Sequence, residues 1–227
     1  KPVNLTDFYK SPVDTAAVFF AVNQIDTGSF FIKNASFIDK SKIRLEFNLD
    51  VDSAGTANLS NYSFEPLNLK IIGTEPDAVQ KNVLYLYLDN PARVGATGKT
   101  YIVRVFNLYS TGGIRIIEGA GSTYSFTFVM ETLDNVYVYP NPYSRKVTQN
   151  YITFANLTKT AVIYIYDITG KFLKQINETD GNGGAEWDLK DTYGNEITSG
   201  IYIFRVEGKN SSGIDVEEKI GKFAVVK

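Results

Sequence analysis

Apolar and polar side chains alternate with a period of two along most of this 227-residue chain. In "NVLYLYLD", Leu84, Leu86 and Leu88 fall on one face of an extended strand, and Tyr85 and Tyr87 fall on the other. No long stretch carries the helical period, and the 15 Tyr and 15 Phe residues are types that strands favour. The pattern therefore predicts an all-β protein.

The stretch "VYPNPYS" interrupts this pattern past the middle of the chain. Proline has no N–H to donate to a strand ladder, so Pro140 and Pro142 end strand pairing or confine it to an edge. We predict two tandem immunoglobulin-like β-sandwiches, residues 23–130 and 141–227, joined by a linker at 131–140. Each is near the size at which such a sandwich supports its own core.

Residues 1–22 fit neither predicted sandwich. They begin at Lys1 without a signal-peptide pattern, which we interpret as a processed product or the C-terminal piece of a longer protein. An apolar run in this stretch predicts a strand that pairs with a preceding domain or with another molecule, through Ala16, Val18, Phe20 and Val22.

The chain contains no cysteine and no histidine. This excludes disulfides, thiolate or imidazole metal sites, and Ser-His-Asp or Cys-His catalysis within the chain. The net charge of −2 comes without a block of basic residues, so we predict no nucleic-acid partner and no membrane insertion. We also predict that the chain is not an enzyme.

The second half carries an ordered series of motifs: "VYPNPYS", "ITFANLTKTAVIYIYDITGKFLKQI", "WDLKDTYGNEITSGIYIFRV" and "KIGKFAVVK". It resembles the C-terminal sorting domains of type IX secretion substrates and the Ig-like domain of flagellar hook-capping proteins, and the lysine-bearing last strand favours the sorting domains. Leu189 departs from the pattern, since a glycine is common there in the family. The first half resembles the bacterial Ig-like repeats of S-layer and other large surface proteins.

The resemblance implies roles for individual residues of the second half. The "SGIY" turn and the terminal strand would form the sorting signal, through Ser199, Gly200, Tyr202, Lys219, Lys222 and Lys227. A second group would be structural and comprises Pro140, Pro142, Trp187 and Gly194. Within it, Trp187 would fill the core beneath a turn.

Three further motifs suggest ligands or modifications. "RVGATGKT" ends like a phosphate-binding loop but has Arg93 in place of the first glycine and leads into a strand, so we predict a hairpin loop. Asp50, Asp52 and Asp180 are weak calcium candidates, because the loops around them lack the remaining ligands of a calcium-binding loop; otherwise we predict no cofactor. "DTA" and "DSA" resemble an O-glycosylation motif of Bacteroidetes-type secreted proteins, which predicts glycans on Thr15 and Ser53.

The tyrosines opposite the inward leucines form a further candidate surface. Tyr85 and Tyr87, with Tyr164 and Tyr166 of the second half, are either an exposed contact row or the outer faces of sheets partly covered by loops. A contact row would meet a neighbouring domain, a subunit or a glycan.

These observations predict the non-catalytic C-terminal region of a protein exported to the surface of a Gram-negative-type bacterium. The first domain would be a spacer or adhesion module, and the second would be recognised by outer-membrane secretion machinery. Two alternatives remain open at this point: a subunit of an extracellular filament or surface layer assembled by strand addition, and a carbohydrate-binding accessory module.

Overall fold

The computed structural model describes residues 28–66, 69–144 and 149–227. They form strands joined by turns and by four short 3-10 turns at Ser53–Gly55, Leu59–Asn61, Pro91–Arg93 and Gly119–Ser122, with no α-helix in these ranges. No helix in the described ranges has the length and apolar character needed to cross a membrane. The predicted strand containing Ala16, Val18, Phe20 and Val22, and the glycosylation candidate Thr15, lie outside the described residues.

The first hydrophobic core lies between two antiparallel sheets. The larger sheet has the order β1 (Ile32–Phe37), β2 (Lys42–Phe47), β5 (Val83–Leu88), β4 (Ile71–Pro76). The smaller sheet has the order β3 (Tyr62–Glu65), β6 (Thr100–Val105), β7 (Thr123–Thr127). The predicted alternation is confirmed in β5, where Leu84, Leu86 and Leu88 are buried and Tyr85 and Tyr87 are half-buried.

The second core also lies between two sheets. The five-stranded sheet has the order β12 (Phe172–Glu178), β11 (Thr160–Asp167), β14 (Gly200–Lys209), β15 (Lys219–Val226), β9 (Tyr143–Ser144). The opposing sheet has the order β13 (Gly184–Trp187), β10 (Ile152–Ala155), β8 (Tyr137–Tyr139). All neighbours are antiparallel except β9, which runs parallel to β15. The predicted all-β architecture of two sandwiches is thus confirmed.

Residues 131–140, predicted as a linker, differ from that expectation. Leu133, Val136 and Val138 are buried in the second core, and strand β8 pairs with β10. These apolar side chains alternate with polar ones, so the segment covers the core as an edge strand before the chain changes sheets. The prolines lie where that change occurs, since β8 ends at Tyr139 and β9 begins at Tyr143.

The loop that resembles a phosphate-binding motif joins the two cores. The prediction of a hairpin loop is wrong, because this loop connects β5 to β6, which belong to different sheets of the first sandwich. Its residue Ala96 is fully buried, and the Ala96 carbonyl accepts a hydrogen bond of 2.6 Å from the backbone N–H of Asn156 in the second sandwich. Gly98 N–H donates to the Asn182 carbonyl at 3.3 Å, and Thr127 Oγ1 donates to the Gly181 carbonyl at 2.6 Å.

Candidate recognition site at the C-terminal strand

Strand β15 is held mainly by its pairing with β14. The register runs from Gly200 opposite Val225 to Val206 opposite Lys219. On its other side, within the described residues, β15 pairs with the two-residue strand β9 alone, at Val225 and Val226. The Asn141 side chain, between the two prolines, extends this contact by accepting a hydrogen bond of 3.0 Å from Ala224 N–H. The prolines therefore flank a residue that anchors the last strand.

The "SGIY" turn and the end of the chain are in direct contact. Ser199 Oγ accepts a hydrogen bond of 2.9 Å from the backbone N–H of Lys227. Tyr202 is buried, its hydroxyl donates to the Thr198 carbonyl at 2.7 Å, and its ring stacks on Phe223 with centroids 5.6 Å apart. The predicted turn and the predicted terminal strand thus form one folded unit. Gly200 of the turn is exposed and pairs with Val225 of the strand.

The three predicted lysines do not form a cluster. Lys227 lies at the turn, where its Nζ is 3.0 Å from the Glu196 carboxylate. Lys222 is exposed in the middle of β15, opposite Ile203, and Lys219 is at the far end of the strand. At the usual rise per residue, the Cα atoms of Lys219 and Lys227 are roughly 25 Å apart. The lysines therefore mark positions along a strand rather than one charged pocket.

Gly221 is a residue whose role the sequence analysis missed. It pairs with Phe204, and a Cβ at Gly221 would lie 2.3 Å from the Phe204 ring. The ring therefore packs over the glycine backbone and against Phe154 and Phe223 in the core. A glycine inside a strand pattern, here within "KIGKF", is the signal for such a close approach.

Two of the predicted structural residues, Trp187 and Gly194, lie in the second core and in the turn that follows it. Trp187 is 2% exposed, and its Nε1–H donates to the Lys190 carbonyl at 2.8 Å, which closes the turn that follows. Gly194 has φ +84°, a conformation that glycine tolerates, and its N–H donates to the Asp191 carbonyl. Leu189, where the family commonly has glycine, also has a positive φ of 62° while its side chain is buried. Burial of this side chain offsets a strain of order 1 kcal/mol.

A buried carboxyl group supports the turn at the junction of the two cores. Glu178 is 3% exposed, and its Oε1 accepts hydrogen bonds from the N–H groups of Asn182 at 2.8 Å and Gly183 at 3.4 Å. Burial raises the pKa of Glu178 to about 7, with the nearby carboxyl of Asp180 adding to the rise. The sequence gives no signal for this group, because its burial depends on how β12 packs.

We expect stability to fall between pH 5 and pH 8 because of Glu178. The folded pKa of about 7 lies above the ordinary value of 4.5, so between these values the folded state binds more protons than the unfolded chain. The stabilisation is complete below pH 4.5 and is lost as pH rises through 7. Its upper limit is roughly 3 kcal/mol. In urea unfolding, the free energy of unfolding of Glu178→Gln should fall less from pH 5 to pH 8 than that of the unmodified chain.

Glu186→Gln is the matched control for this measurement, because Glu186 is exposed on strand β13 nearby. That variant should keep the pH dependence of the unmodified chain. Equal pH dependence of Glu178→Gln and the unmodified chain would contradict the assignment.

The three calcium candidates and the glycosylation candidate Ser53 are exposed residues in or beside turns. Asp52 Oδ1 accepts from Ala54 N–H at 3.0 Å and begins the 3-10 turn that contains Ser53. The Asp180 carboxylate accepts from the backbone and side chain of Asn182. Asp50 is exposed beside the first of these turns. In the ranges that the structure describes, no three acidic side chains are grouped as ligands for a metal ion. A glycan on Ser53 stays a prediction.

The tyrosine rows lie on outer sheet faces, and polar neighbours hold them. The Tyr85 hydroxyl donates to Asp77 at 2.8 Å, and the Tyr87 hydroxyl donates to Glu75. Lys42 Nζ lies 4.1 Å from the Tyr85 ring centroid and 5.1 Å from that of Tyr87. On the second sandwich, the Arg205 guanidinium lies over Tyr164 at 4.8 Å, and Tyr166 packs edge-on against Phe172. The tyrosines are therefore partly covered, although mainly by side chains of neighbouring strands and not by loops as the second interpretation expected.

Comparison with known families identifies the second sandwich. Residues 137–220 match the family model described as secretion system C-terminal sorting domain. Residues 137–220 are thus a sorting-type domain, and a domain of this kind indicates a location at the surface of a Gram-negative-type bacterium. No curated protein matches the chain.

Several solved structures are similar to the chain at low sequence identity. PorZ, a surface component of the type IX secretion system of Porphyromonas gingivalis, is 17% identical, with a TM-score of 0.37 over 86% of this chain and 30% of PorZ. The N-terminal part of the bacterial S-layer protein SbsC is 18% identical, with a TM-score of 0.40 over 88% of this chain and 44% of that structure. The chain thus spans less than half the length of either structure.

Proposed function

We propose that the second sandwich is the export address of a non-catalytic surface protein, recognised as a folded unit by the outer-membrane secretion machinery. The observation that carries the proposal is the contact between Ser199 Oγ and Lys227 N–H, which joins the "SGIY" turn to the terminal strand within a domain that matches the sorting family. An address made of two distant chain segments requires the folded domain. The first sandwich is then a spacer or adhesion module.

The hydrogen-bonded connection between the sandwiches supports the spacer role. Ala96 and Gly98 of the first sandwich bond to the loops at Asn156 and Asn182 of the second. A spacer of this kind would hold what precedes it at a defined angle to the secretion machinery. The alternative roles, a filament subunit and a glycan-binding module, rest on a strand outside the described residues and on tyrosines that are already hydrogen-bonded.

The test is export of a chain that ends at Gly213, expressed in a bacterium that has the sorting machinery. Removal of β15 takes away Phe223 and Val225 from the second core and leaves the edge of β14 unpaired. We expect this chain to stay inside the outer membrane, whereas the full chain reaches the surface. Surface labelling measures the amount of each chain at the cell surface, and cell fractionation measures the amount retained inside the outer membrane.

A destabilised control separates loss of the address from general misfolding. Phe64→Ala removes a ring that is 3% exposed in the first core and should destabilise that sandwich by about 3–5 kcal/mol. The variant keeps the second sandwich intact, so the fraction of folded protein should still be exported. Surface display of the chain ending at Gly213 at the level of the full chain would overturn the proposal.

A further inference from the structure

Among the residues that the structure describes, the outer edge of β15 is open over most of its length. Strand β9 pairs only with Val225 and Val226, and Asn141 reaches only Ala224. The five residues from Lys219 to Phe223 have β14 on one side and no strand on the other within the described part of the chain. At the rise of a strand, this open edge is about 17 Å long.

The backbone groups that face this edge can be assigned from Ala224. Ala224 N–H donates to Asn141, so this residue points its backbone away from β14. Alternate residues of an antiparallel strand share that direction, so Ile220 and Lys222 also point their N–H and C=O groups outward. No described residue bonds to the backbone of either one. The edge therefore offers two unpaired donors and two unpaired acceptors.

The side chains of these same residues lie on the outer face of the sheet. Ile220 is 58% exposed, and Lys222 is exposed two positions further along. Lys222 has no ion-pair partner among the described residues. A strand added at this edge would place one of its side chains beside Ile220 and another beside Lys222.

We propose that the secretion machinery binds this chain by adding an extended segment of its own to the edge of β15. The segment pairs its backbone with Ile220 and Lys222, and it carries an apolar side chain opposite Ile220 and a carboxylate opposite Lys222. Main-chain hydrogen bonds supply affinity in this mode, and the alternate side chains supply specificity. This inference rests on the proposed export function and identifies the part of the domain that the machinery contacts.

A second copy of the chain fits the edge less well. If two copies pair antiparallel through Ile220 and Lys222, the lysines of the two copies lie either opposite each other or on adjacent diagonal positions. Like charges at these positions oppose pairing, whereas a carboxylate favours it. Charge complementarity thus favours a partner strand with an acidic residue.

The test compares Lys222→Pro with Lys222→Thr. Both variants lose the lysine charge, but only proline also loses the outward N–H, which the ladder of the domain itself does not use. Export of the threonine variant should fall by about two- to three-fold, as expected for an exposed ion pair. Export of the proline variant should fall about ten-fold further. Both purified variants should melt within a few degrees of the unmodified chain.

Two measurements on the purified full chain keep the test decisive if the proline variant unfolds. In hydrogen exchange, the amides of Ile220 and Lys222 should exchange much faster than those of Gly221 and Phe223, which pair with β14. Slow exchange at Ile220 and Lys222 would show that the edge is already covered and would overturn the proposal. Light scattering should show a monomer; a dimer in which the amides of Ile220 and Lys222 exchange slowly would assign the edge to a second copy instead.

The outcomes separate this inference from the export function itself. If the chain ending at Gly213 is exported normally, both proposals fail. If that truncation blocks export while Lys222→Pro and Lys222→Thr are exported equally, the export address stands and strand addition is overturned.

Discussion

Replacing Trp187 with alanine should lower the free energy of unfolding of the second sandwich by about 3–5 kcal/mol. The indole is 2% exposed and packs edge-on against Phe223 of the terminal strand, with ring centroids 6.0 Å apart. Alanine leaves a cavity at this position and removes the donor to the Lys190 carbonyl. Because Phe223 also stacks on Tyr202, we expect surface export to fall together with stability.

Urea unfolding followed by circular dichroism checks this expectation, since Trp187 is the only tryptophan and its fluorescence is lost in the variant. Tyr193→Ala is the control in the same turn, because Tyr193 is 88% exposed. It should change stability by less than about 0.5 kcal/mol. A loss below about 1 kcal/mol in Trp187→Ala would show that the indole does not support the core.

Replacing Gly184 with alanine should disrupt the connection between the two sandwiches. A Cβ at Gly184 would lie 2.3 Å from Gly98 N and 2.5 Å from the Thr97 carbonyl carbon, so it would meet backbone rather than a movable side chain. The cores must shift apart or the local backbone must distort, at a cost of about 1–3 kcal/mol. In calorimetry we expect the sandwiches of this variant to unfold in more clearly separated transitions than those of the unmodified chain.

Gly112→Ala provides the matched control for this substitution. The heavy atom nearest to a Cβ at Gly112 is Ser110 Oγ at 3.7 Å, an ordinary contact distance. Its melting profile should match that of the unmodified chain. An unchanged profile for Gly184→Ala would mean that the junction can yield without loss, and that the sandwiches are not fixed relative to each other.

The local pattern of the chain was sufficient for several predictions about individual strands. The alternation in "NVLYLYLD" predicted which face of β5 is buried, and the burial of Leu84, Leu86 and Leu88 confirms it. The ordered motifs of the second half predicted a sorting-type domain, which the family match over residues 137–220 confirms. These features depend on short-range alternation and on the order of motifs, and both can be read directly from the amino-acid sequence.

The local pattern did not predict which distant segments pair with each other. The loop before β6 was predicted to close a hairpin, but its two flanking strands belong to opposite sheets. The predicted linker contains Leu133 and Val138 of the second core. In both cases the same local alternation is compatible with several neighbours, and long-range packing selects among them.

The amino-acid sequence by itself determined the strand-rich character of this protein, the faces of its strands and the motifs of the sorting-type domain. Only the tertiary structure decided that Ser199 meets Lys227, that Glu178 is buried and that Gly184 joins two cores. It also decided that no other described strand covers most of the edge of β15. The physical reason is that side-chain alternation specifies which surface leaves water. Contacts between segments far apart in the chain specify what covers that surface and which backbone groups remain unpaired.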